Sequence, residues 1–134
     1  MKFLVNNYIS IAAISGAICV ALGAMGAHKL EQMISLKYLG YFEKGVFYQF
    51  IHTLLLLGIG IIAMHSSSKS LELAGLFAII GILFFSGSLY LLSLQEVISL
   101  GVFKKVMIPI TPLGGLSFIA SWVMLFWHAF KHLK

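Results

Sequence analysis

The stretch KGVFYQFIHTLLLLGIGIIAMH, from Lys44 to His65, decides the fold class of this chain. In a helix, a stretch of this length extends about 33 Å at 1.5 Å per residue, and the hydrocarbon core of a bilayer is about 30 Å thick. Within the apolar run lie Gln49 and His52, whose side chains are costly to expose to lipid. The stretch therefore predicts a transmembrane helix with two polar side chains that face other parts of the protein.

The composition of the whole chain is that of a membrane protein. Of its 134 residues, 60% are hydrophobic and 10% are charged, and the mean hydropathy is +1.03. A soluble domain does not hold so much apolar surface in its core. The net charge of +5 comes from lysines without an aromatic-rich basic patch. Such lysines favour anionic lipid headgroups as partners, and nucleic acid is not an expected partner.

Three further apolar stretches are long enough to cross a bilayer. We therefore predict an all-α membrane protein, an antiparallel bundle of four transmembrane helices that forms a single membrane domain over residues 1–134. The predicted spans cover residues of about 8–27, 46–64, 71–94 and 112–130. The polar turn from His65 to Ser70 is short, so the second and third helices must be antiparallel neighbours. The lysines are divided almost evenly between the two sides, which leaves only a weak basis for placing the termini inside.

Two local patterns predict where further helices begin. The segment EQMISLKYLGYFEKG, residues 31–45, mixes apolar and charged residues, which is typical of a short interfacial helix after the first span. Thr111 followed by Pro112 predicts the start of the fourth helix, because a threonine oxygen can cap a helix and proline needs no donor in the first turn.

The first apolar stretch has features of both a retained helix and a signal peptide. Lys2, the apolar run and the small residues AMGA at 24–27 resemble a cleavable signal, but we expect a retained first helix. Ala13, Ala17 and Ala21 form a row at spacing four, which favours close contact with another helix. That contact is either a dimer or packing within the bundle, and we favour packing. The residues predicted to let helices approach closely are Gly16, Ala17, Gly23, Gly87, Gly114 and Gly115.

Antiparallel threading brings polar residues from all four helices to the same half of the membrane. The predicted polar cluster consists of His28, Gln49, His52, Ser86, Ser88, Tyr90 and Thr111. We expect Gln49 and His52 to hydrogen-bond to the serines or Tyr90 of a neighbouring helix. Two interpretations stay open: a pocket for a lipid, small amphipathic molecule, ion or proton, or a structural network that sets the register of the helices.

The same residues argue against catalysis and metal binding. His28 and His52 have no third strong ligand at a recognisable spacing, so no metal site and no cofactor are predicted, and haem between them is a less favoured alternative. The serines have no acidic partner at their depth, and the chain has no phosphate-binding loop. We therefore predict no catalytic residue and a protein that is not an enzyme.

Four segments in order resemble a known family. They are AAISGAICVALGAMGAH (12–28), YQFIHTLLLLG (48–58), LFFSGSLYLLSL (83–94) and ITPLGGLSFIASW (110–122). Together they resemble the small inner-membrane family that includes bacterial YgdD and the animal transmembrane protein 256. The resemblance implies a multi-pass protein of the bacterial inner membrane without an established activity, and it supplies no catalytic residues. Beside membrane lipids, the partners left open are a second copy or a larger membrane complex that this chain joins as an accessory subunit.

Overall fold

A computed structural model describes residues 2–66 and 68–132, with side chains from Val5 onwards. It consists of helices, and no strand occurs in the part of the chain that it describes. The α-helices are α1 (Lys2–His28), α2 (Leu36–His65), α3 (Lys69–Gly81), α4 (Gly87–Ser93) and α5 (Val102–His132). A π-helical turn, Ile82–Ser86, joins α3 to α4, and a 3-10 turn, Leu94–Glu96, follows α4. We call the combined helix from Lys69 to Glu96 the third span.

Each of the four long helices is apolar enough to cross a membrane. The candidate spans contain 28, 30, 28 and 31 residues, and their mean hydropathy lies between 1.6 and 2.1. They cover Val5–Gln32, Leu36–His65, Lys69–Glu96 and Val102–His132. The prediction of an all-α membrane protein with four helices of spanning length is confirmed.

Residues that contact each other across neighbouring helices occur in opposite order along the two helices. Between α1 and α2, Gly60 faces Ile9 and Gly23 faces Val46. Between the third span and α5, the Ser121 hydroxyl donates to the Ala74 carbonyl oxygen at 2.7 Å, whereas Ser88 lies beside Thr111. Each of these pairs of helices therefore runs in opposite directions, and the ends of four helices meet at each end of the bundle.

The segment predicted as an interfacial helix is largely the beginning of α2. After a single 3-10 turn, Leu30–Gln32, helix α2 begins at Leu36 and continues through the predicted start at Val46. No separate helix covers 31–45 among the described residues, because the chain from Leu36 onwards continues without a break into α2. Leu39 and Phe42 are buried against the 3-10 turn and extend the core towards this end of the bundle.

The fourth predicted span also begins earlier than expected. Helix α5 begins at Val102 and contains Pro109 and Pro112 in its interior. Thr111 is not a cap, and its hydroxyl donates to the Met107 carbonyl oxygen at 3.0 Å, one turn earlier in the same helix. Membrane helices accommodate interior prolines because nearby hydroxyl groups satisfy the released carbonyl groups.

Two helices approach each other closely at the π-helical turn. A Cβ atom placed on Gly114 would overlap the backbone of Phe85 and Phe84, whereas one on Gly115 would lie 3.7 Å from the Phe85 ring, an ordinary contact. Helix α5 thus packs backbone to backbone against the π turn at Gly114.

Candidate functional site

Gln49 joins three helices through its side-chain amide. Its Nε2 donates to the carbonyl oxygen of Ser15 at 3.1 Å and lies 3.3 Å from the Ser15 Oγ. Its Oε1 accepts a hydrogen bond from the Tyr90 hydroxyl at 2.6 Å, and the Ser15 Oγ lies 2.6 Å from the Thr53 Oγ1. We call Ser15, Gln49, Thr53 and Tyr90 the Gln49 network. It satisfies a buried amide in an apolar environment and ties α1 and the third span to α2.

His52 belongs to a different group of contacts. Its Nδ1 lies 2.8 Å from the Tyr48 carbonyl oxygen, and its Nε2 lies 3.3 Å from the Trp122 Nε1. Its ring stacks on Phe118 with 3.5 Å between the ring centres, and only 4% of the residue is exposed. The expectation that His52 bonds to serines or Tyr90 is wrong, because the side chain points towards α5.

The partners of His52 determine its tautomer. A carbonyl oxygen only accepts and an indole N–H only donates, so Nδ1 carries the hydrogen and Nε2 accepts from Trp122. At pH 7, ¹⁵N NMR of histidine-labelled protein in nanodiscs is expected to show a protonated Nδ1 and an unprotonated Nε2 for His52. A spectrum dominated by the Nε2–H tautomer would contradict this geometry.

The remaining predicted cluster residues are separate from both groups. The Ser88 hydroxyl donates to the Phe85 carbonyl oxygen at 2.9 Å and lies 2.7 Å from the Thr111 Oγ1, which links the third span to α5. Ser86 is fully buried, and its Oγ has no hydrogen-bond partner among the described residues. His28 is the exposed last residue of α1 and lies outside the described hydrogen bonds of the cluster. The structure therefore divides the predicted cluster into three hydrogen-bonded groups and leaves Ser86 and His28 outside them.

Three residues that complete these groups, Ser15, Thr53 and Trp122, were not predicted as members. Ser15 of α1 lies opposite Thr53 of α2, and their hydroxyl oxygens are 2.6 Å apart. The indole of Trp122, on α5, reaches His52. No pattern within α5 distinguishes an indole that faces a histidine from one that faces the lipid interface.

The predicted packing residues divide in a similar way. Gly16 and Gly23 face Thr53 and Val46 of α2 at contact distance. Ala17 lies with Ala13 and Ala21 on the exposed side of α1. Contrary to our expectation, this row does not pack within the bundle. A Cβ atom on Gly87 would meet nothing within 4 Å. Gly87 is therefore not at a close helix contact but beside an open groove.

This groove runs between α1 and the third span, above α2. Its volume is about 370 Å³, which is within the range of small-ligand sites. Isoleucines and leucines form its walls, and three members of the Gln49 network form its polar floor. The lining includes Ile11, Ile14 and Ile18 from α1, Ile79, Ile82 and Leu83 from the third span, and Ser15, Gln49 and Tyr90 at the floor.

Side chains of the types that bind metal ions are dispersed in the described part of the chain. Within residues 2–66 and 68–132, no three His, Cys, Asp or Glu side chains lie close enough together to hold a metal ion. Cys19 is buried, and its Sγ lies 3.3 Å from the Val46 carbonyl oxygen.

The four apolar helices and the buried polar groups between them define a small multi-pass α-helical membrane protein. The sequence model of the family DUF423, which is described as a protein of unknown function, matches residues 22–115 of this chain. The chain belongs to this family, and the predicted resemblance to the family of YgdD is confirmed.

Curated relatives match along most of their own length. A UPF0382 membrane protein of Staphylococcus saprophyticus is 42% identical over 92% of this chain and 97% of its own. The UPF0382 membrane protein YwdK of Bacillus subtilis is 42% identical over 94% and 98%, and the inner membrane protein YgdD of Escherichia coli is 40% identical over 85% and 82%. No solved structure matches this chain. The predicted multi-pass location in a bacterial inner membrane is confirmed.

Proposed function

We propose that this protein is not an enzyme and that it binds a small amphipathic molecule of the membrane in the groove above the Gln49 network. The observation that carries the proposal is the combination of apolar walls with a polar floor. A groove filled only by acyl chains has no need of a buried amide and phenol, which are costly in lipid.

The floor favours a ligand with a hydroxyl group. Gln49 donates to Ser15, and the Tyr90 hydroxyl donates to Gln49, so these side-chain donors are already used. The second lone pairs of the Gln49 Oε1 and of the Tyr90 hydroxyl oxygen are left as acceptors. A hydroxyl donates to such acceptors, and its hydrocarbon body packs against the isoleucines of the walls.

A glycine substitution fills the groove without disturbing helix packing. Gly87→Leu places a side chain where a Cβ atom meets nothing within 4 Å, and Gly58→Leu is a matched control with equally open surroundings outside the groove. The probe is dodecan-1-ol, compared with dodecane at equal mole fraction in micelles. Its binding is followed by the ¹⁵N–¹H resonances of the Gln49 side-chain amide.

We expect the alcohol to bind about three- to tenfold more tightly than the alkane, because one hydrogen bond contributes about 1 kcal/mol. Gly87→Leu is expected to weaken alcohol binding at least tenfold, while Gly58→Leu leaves it within about twofold of the unsubstituted protein. Equal binding of alcohol and alkane, or equal effects of the two substitutions, would refute the proposal.

A second candidate function is that of a structural or accessory subunit of a larger membrane complex. The enclosed position of His52, whose two ring nitrogens are both bonded within the chain, favours this function over a proton relay. The exposed alanine row on α1 is a surface on which another helix can approach closely. In that case the alcohol titration produces no selective change at Gln49, so the same experiment separates the two functions.

A further inference from the structure

A second cleft lies at one end of the bundle. This end holds the connection between α1 and α2 and the connection between the third span and α5. It is bounded by the first turns of α2, the end of the third span and the first turns of α5, and its volume is about 320 Å³. We call it the loop-end cleft. It does not share lining residues with the groove, because it opens on the α5 side of the third span and the groove opens on the α1 side.

The lining of the loop-end cleft changes from charged to apolar with depth. Lys37 and Lys104 are exposed at its outer part, while Leu89 and Leu92 are buried in its wall. Thr111 lies seven residues after Lys104 in the same helix, which places it roughly 10 Å deeper. Tyrosine hydroxyls and an amide lie on the remaining lining, from Tyr38, Tyr41 and Gln95. A phospholipid has the same order of polarity from its phosphate to its acyl chains.

The two lysines at the cleft form no ion pair with any of the described residues. The ion pair found among the described residues joins Lys69 to Glu72, far from this end. Glu96, the last residue of the third span, accepts hydrogen bonds from the backbone N–H and hydroxyl of Ser35 at 2.7 and 3.0 Å. The lining of the loop-end cleft thus contains two lysines and no acidic residue, which complements an anionic group at the membrane surface.

We propose that the loop-end cleft binds one anionic phospholipid, with its phosphate between Lys37 and Lys104. The tyrosine hydroxyls and Gln95 bond to the glycerol and ester oxygens, and an acyl chain lies along the leucines of the wall. This site goes beyond the groove and the amphipathic ligand proposed for it, because its recognition depends on charge.

The test measures binding of phosphatidylglycerol by the full-length protein in neutral detergent at 0.15 M salt. Phosphatidylcholine with the same acyl chains, which has no net charge, and inorganic phosphate are compared as probes. The variant Lys37→Gln/Lys104→Gln removes both charges at the cleft. Lys44→Gln/Lys105→Gln is the matched control, since these exposed lysines lie at the same end but do not line the cleft.

We expect phosphatidylglycerol to bind at least tenfold more tightly than phosphatidylcholine. Each lysine near a membrane surface contributes about fivefold, so removal of Lys37 and Lys104 is expected to weaken binding about 30-fold. The control pair is expected to change it less than about threefold, because salt screens charges outside the cleft. Gly87→Leu is expected to leave phosphatidylglycerol binding unchanged, which separates this site from the groove.

Three outcomes would overturn the proposal. Equal losses in the two double variants would show diffuse attraction to the basic end of the bundle. Equal binding of the two phospholipids would show that charge does not select the lipid. Binding of inorganic phosphate as tight as that of phosphatidylglycerol would show an ion site without lipid recognition.

Discussion

Replacing Gly114 by alanine is expected to destabilise the folded protein by about 3 kcal/mol, the upper part of the usual range for overpacking. The added Cβ atom would overlap the backbone of Phe85 in the π turn, and backbone atoms in a packed helix cannot move aside as a side chain can. Helix α5 must then separate from the third span. The free energy of unfolding, measured by SDS titration in mixed micelles, checks this expectation.

The neighbouring glycine supplies the control for this substitution. A Cβ atom on Gly115 would lie 3.7 Å from the Phe85 ring, so alanine fits there without displacement. Gly115→Ala is expected to be neutral or to stabilise the protein by up to about 1 kcal/mol, because alanine is the better helix former. Similar losses in both variants would show that the close approach at Gly114 does not exist. From the sequence, the two glycines were expected to behave alike.

Replacing His52 by alanine is expected to lower the free energy of unfolding by about 3 kcal/mol. The substitution leaves a cavity beside Phe118, as aromatic-to-alanine changes in cores do, and it leaves the Trp122 N–H without its acceptor. His52→Phe keeps a ring for stacking and removes only the polar atoms, so its expected loss is about 1 kcal/mol. Both values are measured by the same SDS titration.

His65 is the matched control for His52. Its Nδ1 lies 3.2 Å from the carbonyl oxygen of Ile61, four residues earlier, as the Nδ1 of His52 lies near that of Tyr48. The side chain of His65, however, is exposed. His65→Ala is expected to change stability by less than about 0.5 kcal/mol. If His52→Ala were as mild as His65→Ala, the enclosed stacking of His52 would be excluded as a stabilising feature.

These expectations give His52 and Gln49 different roles. His52 is enclosed by aromatic rings and bonded at both nitrogens, so it stabilises the contact of α2 with α5. Gln49 is bonded too, but its network forms the floor of an open groove. A ligand that reaches Gln49 changes few helix contacts, whereas one that reaches His52 must displace Trp122 or Phe118.

Length and hydropathy along the chain were enough to establish the class of protein and the number of spans. Hydropathy is a sum over neighbouring residues, and each of the four apolar stretches is long enough to cross a bilayer without reference to the others. The cost of polar groups in lipid also required Gln49 and His52 to face protein. Both are buried, at 4% exposure each.

Only the tertiary structure decided which partners these residues have. A helical side chain changes direction by about 100° per residue, so its partner depends on the rotation and axial offset of each helix. Ser15 and Thr53 meet although they are 38 positions apart, and the π turn changes the faces of the third span relative to an uninterrupted α-helix. Gly87 consequently borders an open groove, whereas Gly114 packs against the backbone of another helix, although both are glycines in apolar helices. Local hydropathy contains no information about rotation or offset, because those quantities arise from packing between helices distant in the chain.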